Sequence, residues 1–212
     1  MKTIQAPRIL AAIVAAAAFS VASVASPALA DDAPPAEVKL IVERAFSGKL
    51  TDADREVLIN DYPEIAAVVP DYSQTETEEV VTKALSPTVA GKGATVAATT
   101  KCSTYSGWSR FKSVLGFTIY KFTHSAKVCS NGSKVTSHSS PTYTVSEADY
   151  TVDNWSVVDK SVTGVNTAKS TSRIQVKIQQ CVIKVGCYGN NYPTGTIVGK
   201  ANNTADISTT VR

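Results

Sequence analysis

The stretch RIQVKIQQCVI, residues 173–183, shows most directly how this chain folds. Ile174, Val176 and Ile178 alternate with polar glutamine and lysine side chains. Because successive side chains of a β-strand point to opposite faces, this segment has one apolar face and one polar face. It predicts a strand with one face buried and one face in water.

The residues around this stretch favour the same structure. Residues 88–212 contain one leucine against 16 valines and six isoleucines, and 35 of them are serine or threonine. β-Branched side chains suit a pleated sheet and lose rotamer freedom in a helix. No helical pattern separates the strands, so we expect a mainly β fold, an antiparallel β-sandwich. The predicted strands are 94–101, 105–111, 115–129, 133–138, 151–163, 171–184 and 194–211, the last read as two strands.

A turn signal lies between two of these strands. Ser130-Asn131-Gly132-Ser133 contains the Asn-Gly pair that readily adopts the positive φ angles of a tight turn. It predicts a hairpin that joins strand 115–129 to strand 133–138.

The chain divides into two parts of opposite charge. Residues 31–87 contain 13 acidic and five basic residues, whereas residues 88–212 contain five acidic and 14 basic residues. The change in charge coincides with the change in residue type near Ser86-Pro87. A contrast of this kind favours docking of the acidic segment onto the basic domain, and it allows acidic or polyanionic partners for that domain.

The acidic part carries helical patterns. In AEVKLIVERAF the apolar residues fall on one helical face, and Gly48 is a plausible end of the helix. Thr51 is suited to cap a second helix, and Pro63 starts a third short turn. The apolar residues expected on the inner face of the first helix are Val38, Ile41, Val42, Ala45 and Phe46.

The first 30 residues form a targeting segment. Lys2 and Arg8 give a positive region before an apolar run at 9–25, and Ala28-Leu29-Ala30 supplies the small residues of a cleavage site. This pattern predicts a cleavable secretory signal. A membrane anchor is the alternative reading, but a run of 17 residues, mostly Ala and Val, is short for a hydrocarbon core of ~30 Å. We expect a secreted, extracellular protein that does not span the membrane after signal removal.

The sequence therefore predicts four segments. They are a signal peptide at 1–30, an acidic helical segment at 31–70, a linker at 71–94 and a disulfide-stabilised β-sandwich domain at 95–212. A short helix at 76–85 is a further expectation within the linker.

Four cysteines lie in the β part. An even number in an exported chain implies two disulfides, for which three pairings exist. We favour Cys102–Cys129 and Cys181–Cys187, the second of which closes a short loop. The cysteine spacings match no zinc-binding pattern, so we expect neither a metal site nor a cofactor.

Three stretches also carry a resemblance. WSRFKSVLGFTIYKFTHSAKVCSNGSKVTS (108–137), CVIKVGCYGNNYP (181–193) and DREVLINDYPEIAAVVPD (54–71) resemble segments of small secreted actinobacterial proteins of uncharacterised function. The likeness covers roughly half of the chain after the signal, and its motifs are structural. It implies a secreted all-β domain.

Catalytic patterns are sparse. The chain has no nucleophile elbow, zinc-protease motif, phosphate-binding loop or dinucleotide fingerprint. Its two histidines, His124 and His138, are more simply read as core or surface residues than as members of a triad. Glu147 and Asp149 are read as a solvated turn rather than a glycosidase pair. We predict no catalytic residues.

Binding has more support. Tyr188, Asn190, Asn191 and Tyr192 stand close together before a proline, which predicts a loop able to present aromatic rings and amides to a sugar. The alternative is that Gly, Asn and Pro serve only the conformation of a turn. Trp108 and Trp155 are both candidates to extend such a site, with Trp108 taken as the tentative binding residue, although a tryptophan of a sandwich more often lies in the core.

These features predict a secreted, non-enzymatic protein that binds an anionic or carbohydrate ligand of the cell envelope, such as a cell-wall polymer. No nucleic-acid-binding module is recognisable. The alternatives are a small extracellular hydrolase with an acidic pro-segment, or a structural secreted protein.

Overall fold

The fold is taken from a computed structural model that describes residues 34–83 and 100–210. The expected signal at 1–30 and the second part of the expected linker, 84–94, lie outside the described residues.

Three helices precede the sheets. They are α1 (Ala36–Phe46), α2 (Asp52–Asp61) and α3 (Pro63–Ala66), followed by a single 3-10 turn at Tyr72–Gln74. The ten strands are β1 (Glu76–Lys83), β2 (Lys101–Lys112), β3 (Thr118–Ser130), β4 (Val135–His138), β5 (Thr142–Ser146), β6 (Val152–Thr163), β7 (Lys169–Val182), β8 (Gly186–Asn191), β9 (Thr194–Lys200) and β10 (Ala205–Thr210).

The strands form two antiparallel sheets. The first has the order β1-β2-β3-β4, with β5 also paired to β3. The second has the order β10-β9-β7-β6, with β8 also paired to β7. The prediction of a mainly β fold with a sandwich-like arrangement is confirmed.

The opening stretch becomes β7, as its alternation predicts. Ile174, Val176 and Ile178 are fully buried, and they pack against aromatic side chains of the first sheet in one cluster. The Asn-Gly hairpin is also confirmed. Gly132 adopts φ +90°, and the Asn131 side-chain oxygen accepts hydrogen bonds from the backbone N–H groups of Ser133 and Lys134.

Several boundaries differ from the predicted ones. Residues 76–83, expected to be linker and helix, form β1, which pairs with β2 along its whole length. The predicted break between 101 and 105 is absent, because β2 is continuous over 101–112. The sequence also missed β5 and β8. β5 is short and alternates only two apolar residues, Tyr143 and Val145, whereas β8 shows no apolar alternation.

The two sheets approach closely at three glycines. A Cβ added at Gly195 would lie 2.2 Å from the His124 ring, and one at Gly107 would lie 2.5 Å from Ile207. A Cβ at Gly199 would lie 2.5 Å from Val128. Real side chains cannot overlap in this way, so each glycine makes room for a larger residue of the opposite sheet.

Substituting one of these glycines tests the close approach. We expect Gly195→Ala to lower the free energy of unfolding by about 1–3 kcal/mol, because the added methyl group must displace the buried His124 ring. Gly189→Ala is the matched control, since a Cβ there meets only the flexible end of Lys177 at 3.1 Å. Urea unfolding of both variants provides the measurement, and equal stabilities would contradict the packing described.

The helices share a hydrophobic cluster with the sheets. All five residues predicted for the inner face of α1 are buried, as are Leu58 and Ile65. Val114, which follows β2, and Val182, the last residue of β7, belong to the same cluster. The ring of Phe46 in α1 stacks on Tyr188 in β8 with centroids 4.5 Å apart.

Backbone hydrogen bonds tie the same two parts together. The N–H of Val114 donates to the carbonyl of Val69 at 3.0 Å, and the N–H of Asp71 donates to Lys112 at 2.9 Å. The buried Gln180 amide of β7 donates to the carbonyl of Val68 at 2.6 Å. The stretch from α3 to the 3-10 turn is thus bonded directly to the sheets.

Ion pairs fix the ends of the helical segment. Thr51 caps α2 as predicted, in a capping box completed by Asp54. The Arg44 guanidinium binds the Asp54 carboxylate and, with the Thr51 bonds, lowers its pKa to about 2. Burial raises the pKa of Asp71, but hydrogen bonds from Arg55 and neighbouring side chains outweigh burial and hold it below its usual range.

Coupling between helices and sheets can be measured through tryptophan fluorescence, because both tryptophans lie in strands. Ile41→Ala removes a fully buried side chain from α1 and should cost about 2–4 kcal/mol. If the shared cluster makes the chain one cooperative unit, the free energy of unfolding measured by fluorescence falls by that amount, and the urea midpoint falls with it. Leu40→Ala, on the exposed side of α1, should shift it little. An unchanged midpoint for Ile41→Ala would separate the helices from the sheets.

Both favoured disulfides are present. Cys102–Cys129 joins β2 to β3, and Cys181–Cys187 joins β7 to β8. In each case the two cysteines lie directly opposite each other in the register of their strands. The described residues contain no free cysteine.

The outer strand of the second sheet is irregular. β6 pairs with β7 with register shifts between Val152 and Asn154 and between Val157 and Asp159. All of its side chains are at least partly exposed, including that of Trp155.

Candidate functional site

The structure does not bring the five predicted binding residues together. Trp108 lies in the first sheet, whereas Tyr188 and Asn191 lie in β8 of the second. Tyr188 is half-buried against Phe46, and Asn191 is fully buried opposite Ile178.

The prediction that these residues form a loop is wrong. Residues 186–191 form a strand, in which Tyr188 pairs with Gln180 and Asn191 pairs with Ile178, with a register shift between the two pairs. The strand includes Asn190, whose side chain lies outside what the structure describes. Tyr192 follows it and is half-buried, and its carbonyl accepts a hydrogen bond from the Thr194 hydroxyl at 3.3 Å.

Trp108 occupies a different position, on the outer face of the first sheet. Its strand neighbours Gly107 and Ser109 are buried and point inward, so Trp108 points to the opposite side. In the register it stands opposite Glu78 of β1 and Thr123 of β3. We call the outer-face residues around it the Trp108 face; they are Glu76, Glu78, Ser106, Arg110, Lys112, Lys121, Thr123, Ser125, Thr142, Thr144 and Glu147.

Two cations hold the indole ring. The Lys121 ammonium lies 4.3 Å from the ring centroid, and the Arg110 guanidinium carbon lies 5.1 Å from it. Arg110 and Lys121 are directly opposite each other, so both come from the row of the sheet next to Trp108. Such cation–π contacts restrict the ring to one orientation.

Carboxylates fix the cations in turn. Arg110 donates to both oxygens of Glu147, at 2.8 and 3.1 Å, and to Glu76 at 3.1 Å. Lys112 also donates to Glu76, at 2.5 Å. These bonds lower the pKa of both carboxyl groups, which favours their ionised form.

Hydroxyl groups extend the face on the other side of the ring. Thr144 lies opposite Thr123, which itself lies opposite Trp108. In the next row Ser125 and Thr142 share a hydrogen bond of 2.8 Å. The Trp108 face thus combines a fixed aromatic ring with carboxylate acceptors, cationic donors and hydroxyls.

The sequence contained a signal for this face that its reading missed. Trp108, Arg110 and Lys112 are spaced by two residues, and such spacing puts side chains on one side of a strand. The partners on β3 and β5 depend on strand register, and the sequence did not reveal it.

The histidines form no catalytic triad. His124 is 1% exposed in the core, and its Nδ1 lies 3.5 Å from the Thr209 hydroxyl. His138 Nδ1 lies 2.8 Å from the Ser170 hydroxyl, which also donates to the carbonyl of Thr163 at 2.8 Å. A serine hydroxyl that donates to a carbonyl is not activated as a nucleophile.

The two acidic residues at the turn have structural partners. Glu147 binds Arg110, and Asp149 accepts hydrogen bonds from the backbone and hydroxyl of Thr151, at 2.8 and 2.6 Å. Their bonding fits the reading of a turn. Within 34–83 and 100–210 there is no group of three metal-ligating side chains.

Neither a search for membrane-spanning helices in the described part of the chain nor a comparison with known proteins gave a match. Among the described residues, no helix has the length and apolar character needed to cross a membrane. The chain matches no family model, no curated protein and no solved structure.

Burial of His124 has a consequence for stability against acid. Burial lowers its pKa from 6.5 to about 4. Below pH 6.5 the unfolded chain therefore binds a proton that the folded chain excludes, and stability is lost as the pH falls towards 4. Between pH 7 and pH 5 the loss from this residue is about 2 kcal/mol.

His124→Gln should remove most of this pH dependence, whatever its effect on stability at pH 7. Urea unfolding at pH 7 and pH 5 measures it. His138→Gln is the control, because His138 is less deeply buried and its pKa is lowered less by that burial. An unchanged pH dependence in His124→Gln would show that this histidine is not the group that titrates.

Proposed function

We propose that this chain is a secreted, non-enzymatic protein that binds a carbohydrate of the cell envelope on the Trp108 face. The observation that carries the proposal is the indole ring of Trp108, held on an open sheet face by Arg110 and Lys121. Among the four predicted binding residues whose side chains the structure describes, it is the one that stands on such a face.

The chemistry of the face suits sugars. A sugar ring presents apolar C–H groups on its faces and hydroxyl groups at its edge, and each hydroxyl both donates and accepts. The ring of Trp108 can stack on the C–H groups, while Glu76 and Glu147 accept hydrogen bonds and Thr123 exchanges them. Because ion pairs already hold these groups in place, binding costs little side-chain entropy.

A carbohydrate fits this face better than a polyanion does. Arg110, Lys112 and Lys121 are each paired with Glu76 or Glu147. A polyanion would have to compete with these carboxylates for the cations. The net positive charge of residues 88–212 then contributes more to solubility and to electrostatic attraction towards the envelope than to recognition of the ligand.

Secretion belongs to the same proposal. It is supported by the signal pattern at 1–30 and by the two disulfides, since disulfides persist in oxidising environments. The resemblance to small secreted actinobacterial proteins points to a bacterial envelope as the place of binding.

We also propose that the acidic helical segment is a permanent part of the fold and not a removable pro-segment. Val114 and Val182 are buried in a cluster with α1, α2 and α3. Removing the helices would expose both side chains and leave the Gln180 amide without its Val68 partner. The loss would weaken the sheets rather than uncover a ready-made site.

The test compares two tryptophans. Trp108→Ala should weaken binding to purified cell-wall peptidoglycan or to isolated envelope polysaccharide at least tenfold, because aromatic anchors dominate the affinity of binding surfaces. Trp155→Ala is the matched control, as Trp155 is exposed on β6 of the other sheet. Pelleting assays with the insoluble polymer and fluorescence titration with the soluble one measure both variants.

Salt separates the two ligand classes. Stacking and hydrogen bonding to a sugar should change little between 0.15 and 0.5 M NaCl, whereas binding to a polyanion should fall steeply. Equal loss of binding in both tryptophan variants, or no binding to any envelope carbohydrate, would refute the proposal.

A further inference from the structure

A small pocket lies at one end of the sandwich, away from the Trp108 face. It has a volume of about 230 Å³ and is lined by Lys101, Ser130, Asn131, Gly132, Ala201, Asn202 and Asn203. Three pieces of chain build it: the start of β2, the β3–β4 turn and the β9–β10 turn. Its volume equals roughly that of eight water molecules at ~30 Å³ each, so it has room for a small polar group.

Two asparagines that line the pocket use their side-chain oxygens inside their own turns. The side-chain oxygen of Asn131 accepts from the backbone N–H groups of Ser133 and Lys134, at 3.2 and 3.0 Å. The side-chain oxygen of Asn202 accepts from the N–H and hydroxyl of Thr204, at 3.2 and 2.7 Å. Because both oxygens are used inside their own turns, each amide nitrogen is left as a donor for the pocket.

Two further polar atoms of the pocket are buried without a partner in the described part of the chain. They are the hydroxyl of Ser130, a residue only 1% exposed, and the side-chain oxygen of Asn203. The Asn203 amide nitrogen donates to the Ser103 hydroxyl at 3.1 Å, which fixes the orientation of that oxygen. An unsatisfied buried polar group is costly, so both atoms favour a ligand that bonds to them.

Lys101 adds the charge. It lies directly opposite Ser130 in the register of β2 and β3, so the two side chains are on the same face. The side chains that line the pocket therefore offer one cation, two amide donors and one hydroxyl, next to the side-chain oxygen of Asn203. Several donors with one positive charge match a singly charged oxyanion, and the Asn203 oxygen matches a hydroxyl group beside it.

We propose that this pocket binds a carboxylate that carries a neighbouring hydroxyl group. Lys101, Ser130 and the amides of Asn131 and Asn202 bind the carboxylate oxygens, and the Asn203 side-chain oxygen accepts from the hydroxyl. Uronic acids and small hydroxy acids share this chemistry.

The proposal does not depend on the function proposed for the Trp108 face. Lys101 and Trp108 are seven residues apart on β2, which corresponds to about 23 Å along a strand. A ligand in the pocket and one on the Trp108 face would therefore perturb different residues.

Binding can be measured on the disulfide-bonded chain labelled with ¹⁵N. Glucuronate and lactate are the probes for the two sources of the carboxylate. Methyl glucoside, which lacks the carboxylate, and acetate, which lacks the hydroxyl, are the matched controls. We expect glucuronate, lactate or both to shift the amide signals of residues 101, 130–132 and 201–203, and to do so at lower concentrations than either control.

Two variants test the assigned atoms. Lys101→Gln should weaken binding about tenfold, as expected for loss of a charge-assisted hydrogen bond. Ser130→Ala should weaken it severalfold without lowering Tm, because the hydroxyl it removes has no partner in the described chain. Lys134→Gln is the control, since Lys134 is exposed on the same hairpin but does not line the pocket.

The proposal is overturned by any of three results. The first is the absence of shifts at these residues with both probes. The second is binding of methyl glucoside or acetate as tight as that of the probes. The third is equal affinity for the probe in Lys101→Gln and Lys134→Gln. Trp108→Ala, which should leave this binding unchanged, separates failure here from failure of the proposed function.

Discussion

The close contact of the two sheets at Gly107, Gly195 and Gly199 is the constraint on which the rest of the structure depends. Each glycine admits a larger side chain from the opposite sheet, and the His124 ring lies against two of the three. This interlocking fixes the lateral position of one sheet on the other. It also explains how an imidazole comes to lie in an apolar interior, because the ring fills space that the glycines leave.

The sequence predicted those parts of the fold that depend on local patterns. Alternation identified β7, the Asn-Gly pair identified the hairpin of β3 and β4, and helical periodicity identified the buried face of α1. It failed at β1 and β8, where the strands are made by pairing with a strong neighbour and not by their own residues. In β1 the three glutamates hid the strand, since acidic residues are disfavoured in strands except at an edge.

The candidate site was predicted less well for a related reason. Residues close together in sequence were assumed to act together, which grouped Tyr188 with Asn191. The structure instead uses Tyr188 to hold α1 and buries Asn191 in the second sheet. The Trp108 face and the end pocket are each assembled from separate strands or turns, so their composition depends on register. Only the two-residue spacing from Trp108 to Lys112 was visible in the sequence.

The irregular register of β6 affects whether a strand of another chain can pair with this edge of the second sheet. A long outer strand normally offers its free N–H and carbonyl groups as a template for another strand. Two bulges in β6, together with Asp159 and Lys160, break the straight row of hydrogen-bonding groups that such growth requires. β6 is therefore a poor template for the addition of another strand, and contacts that other molecules make with this edge of the sheet go through its exposed side chains.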